Sequence, residues 1–181
     1  MNTMKTMKPL PNLELLNHLF TVSEKSPSGL YWKNPTSFKL KPNSIAGCLT
    51  QDGYWNVGIQ TDKKTLLYRV HRIIFYITYK KNIDNIYIDH VDNNRKNNKI
   101  KNLRVATTTQ NNRNQKKQQK ETSSKYKGVH WDKKANKWKA VITVDYKLIY
   151  LGVFNEEAEA ACAYNKAAQK HYDSFALLNN V

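Results

Sequence analysis

Apolar and polar positions along this chain follow two periods, and the switches between them mark its elements. Val70, Ile73, Ile74 and Ile77 recur at i, i+3, i+4 and i+7. That spacing is the stripe of an amphipathic helix and predicts one over residues 70–80. Before it, Gly53–Ile59 alternates as a strand, Asp62-Lys63-Lys64 turns, and Thr65–Tyr68 returns. Together they read as a hairpin. Further upstream, Leu13, Leu15, Leu16, Leu19 and Phe20 suit either a helix or an extended segment. Ser26-Pro27-Ser28-Gly29 is a turn and Leu30-Tyr31-Trp32 a short strand.

After the helix, Ile86-Tyr87-Ile88 runs into Asp89-His90, a polar loop follows, and Asn102–Thr107 returns as a second short strand. Thr107 to Gln110 fit a capping box, with Thr107 as N-cap. A helix therefore starts there, with Asn111 one turn inside. Gln115–Ser124 lacks apolar residues and reads as a helix tail running into a linker. Ser124–Trp131 opens a second module. Within it, Trp138, Ala140, Ile142 and Val144 share one strand face and Lys139, Val141 and Thr143 the other. Asp145-Tyr146 turns the chain. A further strand, Leu148–Phe154, places Ile149, Leu151 and Val153 together. Asn155 is the expected cap of a helix with Glu156, Glu157 and Glu159 in its first turns, where the helix dipole favours acids. Ala158, Ala161, Cys162, Tyr164, Ala167 and Ala168 let that helix lie close on a sheet. The class is α+β, with modules at about 10–118 and 123–180.

Charge changes the picture. The 181 residues carry a formal net charge of +16, which points to a polyanionic partner, nucleic acid before membrane. The excess is uneven. Residues 62–121 hold fifteen basic and five acidic side chains, while each flanking third nets only +3. The positive field thus surrounds Asp89-His90. Met1–Lys8 has no apolar core of a signal peptide and reads as a loose tail, so the expected setting is the cytoplasm of a host cell. Cys48 and Cys162 are far apart, with no paired-cysteine motif. They read as free thiols or core fillers, and no structural zinc is expected.

Asp89-His90-Val91-Asp92-Asn93-Asn94, then Asn98-Lys99-Ile100-Lys101-Asn102-Leu103-Arg104, then Asn111, is a spaced constellation with chemistry in it. A carboxylate and an amide can hold a hard divalent cation by oxygen. An imidazole beside them can take a proton from water. The constellation resembles the HNH motif, the ββα-metal site of many phage and intron-encoded homing endonucleases, in its H-N-N form. The resemblance implies His90 as general base, Asp89 and Asn111 as ligands of one Mg²⁺ or Mn²⁺, and Asn102 as the residue that pins the loop. Asn93 stands where many relatives have Gly. The preceding Val70-His71-Arg72-Ile73-Ile74 also resembles these endonucleases, and by that analogy Arg72 contacts a phosphate of the cleaved strand. Arg104 and Arg113 are further candidates for DNA contact. Asp89 and His90 are neighbours in a strand and face opposite ways unless the strand frays there.

The second module resembles the Apetala-two/ethylene-response-factor DNA-binding domain. The matching residues are Tyr126-Lys127-Gly128-Val129, Trp138-Lys139-Ala140, Leu151-Gly152-Val153-Phe154, Glu157–Ala161, Ala163-Tyr164, Ala167-Ala168 and Phe175–Asn179. The resemblance implies a three-stranded antiparallel sheet on one helix, with the sheet in the major groove. Lys127, His130, Lys139, Val141, Thr143, Leu148 and Tyr150 are then the contact candidates. Lys127, Lys139 and Lys147 suit phosphates better than base edges. The expected protein is a magnesium-dependent endonuclease of double-stranded DNA, a monomer or weak dimer off the membrane. The rival expectations are a non-catalytic DNA-binding regulator and an RNA-binding protein.

Overall fold

The helix that the stripe predicts is the centre of the first half of the molecule. In the computed structural model, which describes residues 8–61, 64–115 and 122–181, it runs Val70–Tyr79. We label the elements in chain order, so this helix is α2, after α1 (Leu13–Leu19) and five strands. Val70, Ile73 and Ile74 are fully buried, as the spacing requires. Lys80 ends the helix in the left-handed conformation with φ 54°.

The chain divides into two units, Met1–Thr107 and Thr108–Val181. In the first, the ambiguous stretch 10–20 turns out to be both of its options. Asn12 caps α1 by accepting from the Leu15 N–H at 2.8 Å, and the helix then gives way to β1 (Phe20–Val22). That strand pairs antiparallel with β2 (Leu30–Trp32). β4 (Trp55–Thr61) and β5 (Lys64–Arg69) form the expected hairpin. Its turn at 62–63 lies outside the described residues, as do the tail before Lys8 and most of the linker at 115–124. A short β3 (Cys48–Leu49), too brief to leave a pattern, lines the other side of β4. Leu16, Leu30, Val57, Ile59, Ile88 and Leu103 close the core around α2. β6 (Tyr87–His90) and β7 (Leu103–Ala106) make a two-stranded ladder in which Asp89 faces Arg104 and His90 faces Leu103.

The second unit is α3 (Thr108–Arg113), then β8 (Val129–Asp132), β9 (Lys137–Val144) and β10 (Lys147–Phe154), then α4 (Glu157–Tyr172). The sheet is antiparallel in the order β10-β9-β8. Ala160, Ala161, Tyr164, Ala168 and Tyr172 of α4 are buried with Ala140 and Ile142 of β9. Gly128 sits at φ 75°, and a Cβ there would strike the Tyr164 ring and the Val141 carbonyl. Only glycine allows that approach.

Four expectations change here. A bulge between Tyr150 and Gly152 makes Leu151 an extra residue, so Val153 opposes Lys139 on the outer face rather than joining Ile149 and Leu151 inside. The N-cap of α4 is Glu156, which forms a capping box with Glu159, so Asn155 stands one residue too early. Cys162 is exposed, as is Cys48, so neither fills a core. Finally, α3 groups with the second unit, although composition placed it in the first. The reason is local: the Lys127 ammonium donates to the carbonyls of Arg113, the last residue of α3, and of Gln115, two residues on, at 2.6 and 2.9 Å. Arg113 itself pairs with Asp145 at 3.2 Å and covers the Tyr172 ring.

Candidate active site and nucleic-acid interface

The loop between β6 and β7 is built from amides folded onto one carboxylate. Asp92 accepts from Asn97 and Asn102 side chains and from the Asn94 N–H, at 2.7 to 2.8 Å. Burial alone would raise the Asp92 pKa, but those three bonds outweigh it and hold the carboxyl below its ordinary range. Asn102 also donates to the Asn97 carbonyl and accepts from the Asp92 N–H. The turn needs φ 57° at Asn93, a conformation that Asn tolerates almost as Gly does.

Beside this loop, His90 is buried, with 4 % of its surface exposed. Its Nε2 lies 3.0 Å from Asn98 Oδ1, and Asn98 Nδ2 donates to the Ser28 carbonyl at 2.8 Å. The His71 ring of α2 stands edge-on to His90, with centroids 4.8 Å apart. Tyr54 lies near both, at 5.4 Å from His71 and 6.0 Å from His90. Arg69 and Arg95 both lie over the Tyr54 ring. Arg69 is also paired with Asp52 at 2.7 Å. Burial lowers the His90 pKa, against the opposing pull of Asn98, Asp89 and Asp92. Burial lowers that of His71 further, helped by the charges of His90, Arg69 and Arg72.

Of the residues singled out from the sequence, Asp89, His90, Asn102 and Arg104 gather on β6, β7 and their loop. Asp89 accepts two N–H groups of Arg104 on Oδ2, at 3.1 and 2.9 Å. Arg104 is therefore a partner of the carboxylate rather than a free surface cation. Arg72 is buried and donates to the Lys8 and Ile83 carbonyls at 3.0 and 3.1 Å. It braces the chain on either side of α2 and does not present its guanidinium for a phosphate. Asn111 lies on α3, in the second unit.

In the second unit the outer sheet face carries His130, Lys139, Val141, Thr143, Leu148 and Tyr150, opposed pairwise across the ladders. Leu148 and Tyr150 are 68 % and 59 % exposed, with Lys147 beside them at the start of β10. Lys127 is not on this face. Its ammonium is turned onto α3, and burial lowers its pKa to about 8. It acts as a helix-end clamp, as Arg113 acts on Asp145.

Asn98, His71, Tyr54 and Arg95 are the contributors that sequence reasoning passed over. Nothing local distinguishes Asn98 from the asparagines around it, because its partner is Ser28. His71 carried a signal, since it stands three residues before Ile74 and four before Phe75, and both are buried on α2.

Residues 68–113 match the HNH endonuclease family model. The chain is 34 % identical over 114 residues to an uncharacterized HNH endonuclease of Acanthamoeba polyphaga mimivirus, covering 62 % of this chain and 58 % of the relative. A second uncharacterized HNH endonuclease of that virus is 41 % identical over 69 residues, 38 % of this chain and 19 % of its own. The chain thus spans less than two thirds of the length of these relatives. A solved structure of DNA binding and cleavage by the HNH homing endonuclease I-HmuI aligns over 92 % of this chain and 91 % of its own, at 19 % identity and a TM-score of 0.43.

Proposed function

We propose that this protein is a metal-assisted endonuclease of duplex DNA, cutting with its first unit and docking with the sheet of its second. The observation that carries this reading is Asp89-His90 at the end of β6, inside the matched HNH segment, with the imidazole held between Asn98 and His71. His90 takes a proton from a water, whose oxygen attacks the phosphorus in line with the 3′-oxygen. The phosphorus–oxygen bond to that 3′-oxygen breaks, leaving a 5′-phosphate and a 3′-hydroxyl. Arg95, over Tyr54 beside His90, is suited to hold a phosphate of the cut strand.

The donor set fits a hard cation. Asp89 offers oxygen alone, and no group of three or more His, Cys, Asp or Glu gathers among the described residues. A carboxylate, with the remaining places left largely to water and phosphate, is how Mg²⁺ or Mn²⁺ is commonly held. When bound, such an ion stabilises charge on the phosphate and on the leaving oxygen. One site per chain implies one strand cut per visit, so a double-strand break needs a weak dimer or two visits.

For the second unit we propose groove binding in the manner of the Apetala-two/ethylene-response-factor domain it resembles, with His130, Lys139, Thr143, Lys147 and Tyr150 against the duplex. A DNA-binding regulator without catalysis is the second reading, favoured by the hold of Arg104 on Asp89. Plasmid nicking with and without Mg²⁺ separates the two. The endonuclease reading expects Mg²⁺-dependent nicking that His90→Ala reduces by about a hundred- to ten-thousandfold, with duplex binding retained. Binding without nicking by the intact chain overturns it.

A further inference from the structure

We propose that Asn98 is a positioning residue, which fixes the His90 proton on Nε2 and so makes Nδ1 the nitrogen that accepts a proton from water. The inference rests on the proposed reading of His90 as the base. It begins from a carbonyl. The Ser28 oxygen can only accept, so the Asn98 atom 2.8 Å from it is the amide nitrogen, and the amide oxygen must face His90. That oxygen also only accepts, so His90 Nε2 supplies the hydrogen. In a neutral imidazole the other nitrogen then carries the lone pair.

The arrangement cannot easily turn over. Asn98 is 5 % exposed and Ser28 fully buried. Flipping the amide would set an N–H donor against the Nε2 hydrogen and an oxygen against a carbonyl, losing two hydrogen bonds in buried surroundings. The Ser26–Gly29 turn is built onto the loop. A Cβ on Gly29 would lie 3.2 Å from Asn98 Cβ and 2.5 Å from Ile74 Cδ1, and the φ of 88° admits glycine there. The ring is held on its other side by the edge contact with His71. The N-terminal β1–β2 hairpin, which carries none of the assigned chemistry, therefore sets the proton of the assigned base. Asn102, the loop asparagine that the sequence singles out, bonds only within the loop in the hydrogen bonds described.

The test is the ¹⁵N spectrum of the histidine side chains in the full chain without metal or DNA, at a pH where His90 is neutral. The His90 signals are identified by their loss in His90→Gln. The proposal expects a single tautomer with hydrogen on Nε2. Asn98→Ala is expected to give a mixture of the two tautomers. In nicking assays Asn98→Ala should lower kcat by about ten- to a hundredfold with KM unchanged, as loss of an imidazole-orienting partner does. Hydrogen on Nδ1 in the wild type overturns the proposal even if Asn98→Ala fails to fold. So does an undisturbed tautomer in a folded Asn98→Ala. If the wild-type chain shows the Nε2 tautomer but never nicks DNA, the endonuclease reading fails while the role of Asn98 in setting the tautomer stands.

Discussion

Arg104 places two guanidinium N–H groups on a single carboxylate oxygen of Asp89, the residue directly opposite it across the β6–β7 ladder. Their side chains are only 16 % and 9 % exposed, so solvent screens the pair little. Removing the cation leaves a carboxylate without its charge partner in a site poor in water. Arg104→Gln is expected to cost about 3 kcal/mol, the low end for breaking a buried ion pair. A divalent cation on Asp89 would offset that loss. Adding Mg²⁺ should therefore raise the Tm of Arg104→Gln by more than it raises that of wild type. Equal shifts would show that Arg104 and the cation do not share this carboxylate.

His71 sets a pH limit on stability. Its pKa in the folded chain is pushed well below the ordinary value, first by burial and then by His90, Arg69 and Arg72. Its Nδ1 is among the buried atoms without a hydrogen-bond partner. The unfolded chain protonates near pH 6.5, where the folded chain still refuses the proton. Stability is therefore full above that pH and falls as pH drops below it, by up to about 1.4 kcal/mol per unit per group. His90 acts in the same direction. The urea midpoint of wild type should fall between pH 7.5 and pH 5.5. His71→Phe should fall less, though not to zero. Identical pH losses in the two proteins would remove His71 from the account.

What the sequence made legible is what one periodic element can carry. The 3.6-residue stripe located α2 to within a residue, because Val70, Ile73 and Ile74 face one core. The alternation of β9 separated Ala140 and Ile142 from Lys139 and Thr143 for the same reason. Asp89, His90 and Asn102 are close in sequence and stay close in the fold. What failed depends on distant partners or on a break in period. The bulge at Leu151 reverses Val153, and Gly152 beside it, at φ 127°, is the one local sign of a break that alternation alone passes over. Lys127 and Arg72 look like phosphate contacts in a basic chain, yet their partners are backbone carbonyls far along it. Asn98 is tied to Ser28, seventy residues earlier, and no local pattern records such a bond.

Lys127 provides a second check on reading cations by charge alone. Its ammonium satisfies two carbonyls at the end of α3, and burial already lowers its pKa to about 8. Lys127→Met removes the donor and leaves both carbonyls short of a partner. The expected loss is about 1–3 kcal/mol in urea unfolding, the range for hydrogen bonds from a charged group. Duplex affinity of the folded variant should stay within twofold of wild type. A stable variant that binds DNA poorly would return Lys127 to the interface.

The outer sheet face yields the sharpest test of the proposed DNA contact. Lys139 stands beside Asp132 at 4.0 Å and near the Tyr150 ring, a weak pair at a partly exposed position. Each phosphate contact contributes about −0.9 to the slope of log K against log salt on B-DNA. Lys139→Met and Lys147→Met should each flatten the slope of the full chain by about that amount, and together by about twice it. Asp132→Asn keeps the oxygen that accepts from the Lys134 and Ala135 N–H groups but removes the competing charge. It should therefore tighten binding while leaving the fold intact. Tyr150→Ala should weaken binding at every salt concentration without changing the slope, because it removes contact area and no charge. Anisotropy titrations of a labelled duplex over a salt series read all four. Unchanged slopes in both lysine variants would take the β9–β10 face out of the interface.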